Sequence, residues 1–409
     1  MYLYPSDILL PDFRITDGTK WSTVACDQYT SEPEYWEAAG ALRAGSKTTL
    51  DLMLPEAFLS SSEEKVPKIH AEMKSYLDEG VLISHPSCGV YVKRVQSDGR
   101  TRRGLVACID LEDYDYAAGS VSPVRATEKT VAERIPPRLA VRRGAPIEMP
   151  HIMLLIDDPS GAVLGPLEAL PENAYSYSLS ENGGSISGSF VPASEFDRIN
   201  KELNKLAEGK KNPIVLAVGD GNHSLATAKA SYEEIKAEIG AKAAETHPAR
   251  YALCETVNIY DSALDFEPIY RLVSFKNADD EKALIEKFGM YLKNAEGSGG
   301  KQEFSVLCGD TVATLVTENA PFALPVTTLQ RFLDAELNSG ADFDIDYIHG
   351  EASLKKLASK SLKIGFAFEG MKKSELFPSV ESDGCLPRKT FSMGHADDKR
   401  YYTECRKIL

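Results

Sequence analysis

The chain is 409 residues long, 43% hydrophobic and 26% charged, a composition that predicts two packed parts, because single cores stop growing near ~250–300 residues. Its formal charge of −15 disfavours nonspecific contact with nucleic acid or an anionic membrane surface. No apolar run is long enough to span a bilayer, residues 1–7 lack a basic region followed by an apolar block, and the seven cysteines form no C-x-x-C pair. These features predict a cytoplasmic protein with neither a disulfide framework nor a zinc site.

Residues 88–92 and 105–109 are apolar runs flanking Ser97-Asp98-Gly99. They read as a β-hairpin, with Asp-Gly supplying the positive φ of a tight turn. A basic segment follows. Between Arg125 and Arg143 stand six basic residues (Arg125, Lys129, Arg134, Arg138, Arg142, Arg143) and two acids (Glu128, Glu133). Inside so acidic a chain, this segment is either a pocket for an anion or a solvated helix face. Thr127 is expected to cap a short helix that stops before Pro136-Pro137. A second helix then runs to Gly144, with Arg138 and Arg142 one turn apart. Residues 151–156 read as a buried strand. The Gly/Ser/Asn-rich stretch 181–188 reads as a linker or mobile loop.

Ser194 is placed to cap a helix whose apolar positions Phe196, Ile199, Leu203 and Leu206 share one face. The continuous apolar run 214–218 has strand length. It leads into Gly219-Asp220-Gly221-Asn222-His223-Ser224, and a helix opens at about Asn222. Strands near 251–259, 304, 312 and 364–368 alternate with helices near 280–292 and 328–337. The pattern predicts an α/β to α+β fold with mixed sheets and flanking helices. Residues 1–189 are expected to form an N-terminal α+β domain with the basic segment, and 190–409 a C-terminal α/β domain with the glycine turn.

A strand ending in a glycine turn that opens a helix presents backbone N–H groups to an anion. The helix end alone contributes only about 0.3–1 kcal/mol at a surface, so cationic side chains or a metal must help. The turn is not a dinucleotide fingerprint, since Ser224 stands where a small third glycine is needed. It is not a Walker A loop, since it has no lysine. Asp220 and His223 could act as an acid/base pair; alternatively Asp220 and Asn222 merely cap the helix. Asp342, Asp344 and Asp346 lack the glycine and glutamate of a calcium loop, with Tyr347 and Ser353 at those positions. The sequence Gly394-His395-Ala396-Asp397-Asp398 reads as a polar turn rather than a metal site. Val24 to Tyr29, with Tyr35 and Trp36, could line a pocket or form an aromatic-anchored loop.

The segment 217–228 resembles the "DG-H-H-R" turn of a bacterial group, domain of unknown function (DUF) family 1015. Further matching pieces lie in order: Thr127-Glu128-Lys129-Thr130, Arg134 and Arg138, Glu267-Pro268-Ile269-Tyr270-Arg271, Tyr347-Ile348-His349, and Pro387-Arg388-Lys389-Thr390-Phe391. The turn is also similar to that of partition-protein-B/sulfiredoxin-like free L-serine kinases, which implies such an element around residues 219–224. The resemblance implies phosphoryl transfer to a small hydroxyl compound, serine among the options, from a nucleotide or pyrophosphate, with Mg²⁺. Transfer of this kind is mostly positioning and charge neutralisation. The implied cradle is Gly219, Gly221, Asn222, His223 and Ser224. Glu128 is the implied base, with Asp220 as alternative, while Lys129, Arg134, Arg138, Arg388 and Lys389 neutralise the phosphoryl group. Asn222 replaces the first His of the family turn and Ser224 its Arg, which removes a bidentate phosphate contact. A catalytically inactive regulatory protein and a phosphomonoester phosphatase are the alternatives. The expected partner is a small anionic molecule, neither nucleic acid nor membrane, and a homodimer is compatible with the sequence.

Overall fold

Strand periodicity and turn chemistry build two mixed arrangements of helices and sheets. The computed structural model describes residues 1–409 except 118, 131, 150 and 395. The chain forms two compact units. The first comprises Met1–Ala126, Thr130–Leu264 and His395–Leu409; the second comprises Thr127–Lys129 and Asp265–Gly394.

The first unit carries a ten-stranded sheet: β1 (Ser6–Pro11), β2 (Leu82–Val95), β3 (Thr101–Asp110), β4 (Tyr114–Asp115), β5 (Val124–Ala126), β6 (Met153–Ile156), β7 (Tyr175–Ser178), β8 (Ser185–Pro192), β9 (Leu216–Asp220) and β10 (Tyr251–Asn258). Their spatial order is β4-β5-β9-β6-β10-β3-β2-β8-β7, with β1 on β2. The β5–β9, β4–β5 and β6–β10 pairs are parallel and the remainder antiparallel. The hairpin expected around Gly99 is present, with Gly99 at φ 85°. Strand β3 is buried on both faces. Val106 and Cys108 enter one core, Leu105, Ala107 and Ile109 the other, which explains a run without polar alternation.

Two expectations need correcting. Residues 181–188 are not a linker: Ser185 to Gly188 belong to β8, paired with β2 on one side and β7 on the other. A Cβ at Gly188 would lie 2.6 Å from the Tyr175 ring, so this glycine permits close packing rather than looseness. The boundary expected at 189/190 consequently falls inside β8, within the first unit. Thr127 caps no helix. Its carbonyl accepts from Leu386 N–H at 2.7 Å, and Glu128 bridges Leu386; backbone pairing to a distant segment outcompeted the local cap. After a single 3₁₀ turn, Ala132–Arg134, helix α1 spans Ile135–Arg142. It opens on Pro136-Pro137, where the missing N–H groups are not needed.

Helix α2 (Glu195–Ala207) buries Phe196, Ile199 and Leu203 as its spacing predicts. Helix α3 (Asn222–Ile239) follows β9. A buried charge network fixes the C-terminal segment within this unit. Arg400 pairs with Glu255 at 2.7 Å and Glu404 at 2.6 Å, and Arg406 pairs with Glu148 at 2.8 Å.

The second unit carries an antiparallel six-stranded sheet: β11 (Phe266–Phe275), β12 (Gln302–Cys308), β13 (Thr311–Thr317), β14 (Phe343–His349), β15 (Lys363–Phe368) and β16 (Phe391–Met393). The order is β13-β12-β15-β11-β14, with β16 on β11. Helices α4 (Ala278–Lys293) and α5 (Pro325–Asn338) bury apolar stripes that include Phe288 and Leu329. The architecture is therefore mixed α/β, as the alternation of elements predicts.

Candidate functional site

The glycine turn lies in the first unit. Leu216 to Val218 of β9 are buried between β5 and β6. Gly221 then turns at φ 78°, ψ 27°, left-handed backbone that costs a residue with a Cβ roughly 1–2 kcal/mol. A Cβ there would also lie 3.0 Å from Ile152 Cα. Asp220 accepts the Gly221 N–H at 2.9 Å. No side chain caps the N-terminus of α3, and its first turn carries no acid. The 18-residue helix directs its positive dipole end at the turn, which also holds the Asp220 carboxylate and its partner Lys399. Asn222 Oδ1 is buried there without a hydrogen-bond partner.

Cations from the basic segment reach this turn. Burial pushes His223 down to about 4, and the positive charges of Arg138 and Arg134 add to the effect. At neutral pH, His223 is therefore a neutral imidazole, fit to bond a ligand but not to deliver a proton as an acid. Arg134 is exposed. Arg138 bonds Glu56 and the Arg134 carbonyl. Arg142 pairs with Glu148 at 2.6 Å and Arg143 with Glu234 at 2.5 Å, so these two serve structure rather than the turn. Lys399 lies 3.3 Å from Asp220.

The structure also brings here residues that no local motif signals. His151 Nε2 lies 3.3 Å from Ser224 Oγ and 3.4 Å from Asp27 Oδ2, while Nδ1 lies 2.9 Å from the Tyr402 hydroxyl. Burial opposes charge on His151, yet Asp27 and Tyr402 hold its pKa well above the ordinary value. Burial likewise opposes charge on Asp27, but the His151 imidazolium and hydrogen bonds from His151 and Gln28 keep its carboxyl below the usual carboxylate range. The result is an ion pair between buried His151 and partly exposed Asp27, touching the first turn of α3. It is not a nucleophilic triad: the serine and the carboxylate approach the same imidazole nitrogen, whereas a triad carboxylate holds the far one. Asp27, within the loop 24–29, and His151, at a strand entrance, could be joined only by the fold.

Glu128, Lys129, Arg388 and Lys389 belong to the second unit. Glu128 Oε1 accepts the Thr390 N–H at 3.4 Å, and Lys129 is exposed. Arg271 is buried. It donates to Gln330 Oε1 at 2.7 Å and to the carbonyls of Ile269, Lys389 and Arg388 at 2.6, 3.0 and 3.2 Å. Burial pushes its pKa down to about 10, and Tyr347 and Glu128 partly offset this. Arg388 bonds the Tyr347 hydroxyl at 2.8 Å, and Arg271 and Arg388 both stack on the Tyr347 ring. Three of the motif pieces, at 267–271, 347–349 and 387–391, thus meet around one buried guanidinium. Lys389 takes φ 58°, which turns its carbonyl to Arg271.

The model of a protein family of unknown function, DUF1015, matches residues 10–336. The chain belongs to this family. Among solved structures, it is similar to a free serine kinase mutant in complex with ADP, at 9% identity and a TM-score of 0.40, with 74% of this chain and 92% of that chain covered. It is also similar to a conserved hypothetical protein from Pyrococcus furiosus, at 10% identity and TM-score 0.36, covering 74% and 94%. A third is C-terminally truncated SbnI from Staphylococcus aureus, at 10% identity and TM-score 0.37, covering 71% and 82%. No curated protein matches. Function must still be argued from the DUF1015 chain's own residues.

Among the described residues, no group of three or more His, Cys, Asp and Glu side chains could hold a metal ion. The turn supplies one carboxylate, Asp220, already facing Lys399. One carboxylate makes no all-protein cage, and Mg²⁺ is more often held by one or two carboxylates together with the phosphates of its substrate. No helix among the described residues is long and apolar enough to cross a membrane. Cys26, Cys88, Cys108, Cys254, Cys308 and Cys405 are free thiols.

Proposed function

We propose that this DUF1015 protein is a cytoplasmic small-molecule phosphotransferase that binds the phosphates of a nucleotide or pyrophosphate donor at residues 219–224. The uncapped, acid-free start of α3, entered through left-handed Gly221 and lying in the field of Arg134 and Arg138, carries the reading. Backbone amides there suit an oxyanion, and nearby guanidinium groups supply the charge that a helix end lacks. Neutral His223 is a hydrogen-bond donor or acceptor to the donor phosphates. Ser224 rests against His151, so a buried imidazolium supports the position where the family turn carries an arginine. Gly219 and Asn222 complete the cradle. Mg²⁺ would arrive on the donor phosphates.

Glu128 keeps the role of acceptor base that the family resemblance implies, and Lys129, Arg388 and Lys389 those of phosphate contacts. A free hydroxyl compound, serine first among them, is the proposed acceptor. Phosphoserine should form when the pure protein is incubated with Mg²⁺, serine and one of ATP, ADP or pyrophosphate. Phosphate release from phosphoserine alone indicates a phosphatase instead. Donor binding without turnover supports a regulatory protein, a reading favoured by the engagement of Asp220 with Lys399 and of Ser224 with His151. Glu128→Gln should cut turnover far more than donor binding; unchanged turnover removes Glu128 from the mechanism.

A further inference from the structure

We infer that two copies of this chain associate edge to edge through strand β13, Thr311–Thr317, about a two-fold axis at Thr314. Strand β13 ends the second unit's sheet and, among the described residues, pairs only with β12. Its seven residues, Thr-Val-Ala-Thr-Leu-Val-Thr, contain no charge, no proline and no glycine. Its pairing with β12 runs unbroken from Gln302↔Thr317 to Cys308↔Thr311, without a bulge. Val312 is 58% exposed and Val316 42%.

A long, flat, uncharged edge is a template for another strand, and edges are ordinarily blunted by charge, proline, bulges or brevity. The opposite edge of the same sheet, β14, shows such protection, since Asp344 and Asp346 stand on it. In the first unit, the path ends on the two-residue strand β4 and the four-residue strand β7. The contrast sets β13 apart from these path ends as a long, uncharged edge.

The sequence of β13 says what covers it. Read antiparallel to itself about Thr314, it sets Thr311 against Thr317, Val312 against Val316, Ala313 against Leu315, and Thr314 against Thr314. Thr meets Thr and Val meets Val, Ala313 opposite Leu315 being the one unlike pair and also apolar, and β-branched pairs of this sort stabilise antiparallel ladders. A strand from an unrelated protein imposes no such reverse symmetry. An isologous two-fold contact does, because each pair then occurs twice. The uncharged strand also lets two copies of a chain with a net charge of −15 approach without opposing charges inside the ladder. On the face carrying Val312, Thr314 and Val316, joining doubles an exposed apolar stripe into a shared one.

Seven residue pairs make a small interface, well under the ~800 Å² per partner of a standard one, so the dimer is expected to depend on concentration. Sedimentation velocity from about 1 to 200 µM should show a monomer–dimer equilibrium. Thr314→Lys, which opposes two like charges at the axis, should weaken it at least tenfold without changing the circular dichroism spectrum. Register is tested by cysteine placement. Opposed residues in an antiparallel ladder have Cα atoms about 4.5–5.5 Å apart, within disulfide reach. Under mild oxidation, Thr314→Cys should give a covalent dimer and Val312→Cys alone no more than the parent chain. A mixture of Val312→Cys and Val316→Cys chains should cross-link. A strictly monomeric parent, a dimer indifferent to Thr314→Lys, or equal cross-linking of Thr314→Cys and Val312→Cys would each overturn the assignment.

Discussion

Helices α3 and α4 begin in opposite ways, and the difference is one of capping and first-turn charge. At the start of α4, the Asn277 side chain accepts the Asp280 N–H at 3.0 Å, and Asp279, Asp280 and Glu281 fill the first turn. Its orphan amides and its dipole are answered from within the helix. At the start of α3, no side chain caps the helix and the first turn carries no acid; the Asp220 carboxylate bonds the N–H of Gly221, the left-handed residue just before it. Helix α5 likewise starts without a side-chain cap or a first-turn acid; what sets α3 apart is the left-handed glycine before it and the field of Arg134 and Arg138. The bare end is the feature that the phosphotransferase proposal uses.

The sharpest way to break this contrast is at Gly221. Gly221→Val places a β-branched residue at φ 78° with its Cβ near Ile152. It should cost at least about 2 kcal/mol in urea unfolding and abolish phosphate or nucleotide binding. Retained binding would show that the turn is not the anion site. At the capped helix, Asn277→Ala should cost about 1 kcal/mol while leaving donor affinity unchanged, as read by calorimetric titration. An acid installed at the bare end should act in the opposite sense. Asn222→Asp should stabilise the fold by about 0.3–1 kcal/mol through the dipole and weaken binding of an anionic donor; tighter or equal binding contradicts the proposed site.

The smallest expected effect concerns His223. Its pKa falls from 6.5 to about 4 on folding. The unfolded chain therefore takes up a proton first as pH falls. The stability that neutral His223 contributes is present above pH 6.5 and is lost progressively between 6.5 and 4. His223→Gln should flatten the decline in urea midpoint between about pH 7 and about pH 5, by on the order of 1 kcal/mol or less, because the group is half-exposed. His151 runs the other way. Its raised pKa contributes stability below the ordinary value, and that contribution disappears as pH rises through its folded value. An imidazole resonance of His223 that titrates near pH 6.5 would remove the neutral-imidazole assignment.

Much of the local structure was legible from residue patterns. The hairpin around Gly99, the amphipathic face of α2, and the strand, turn and helix from Leu216 to Ile239 follow from short-range rules. Periodicity and turn residues act within a few positions, so they can be read within a few positions. The misreadings share one cause. Thr127 offered a good cap and 181–188 a loose composition, but each was claimed by pairing with a strand or segment far along the chain. Long-range backbone hydrogen bonds outweigh local preference wherever the segment is buried.

The sequence by itself determined that a glycine turn would open a helix after a buried strand, that the basic segment would lie beside a two-proline helix start, and that the chain was a member of its family. Only the tertiary structure decided which charges stand at the turn. Arg142 and Arg143 went to ion pairs with Glu148 and Glu234, while Asp27, His151 and Tyr402 were assembled against Ser224 from three separate parts of the chain. The reason is physical: backbone geometry is set by neighbours in sequence, whereas burial and charge pairing are set by neighbours in space.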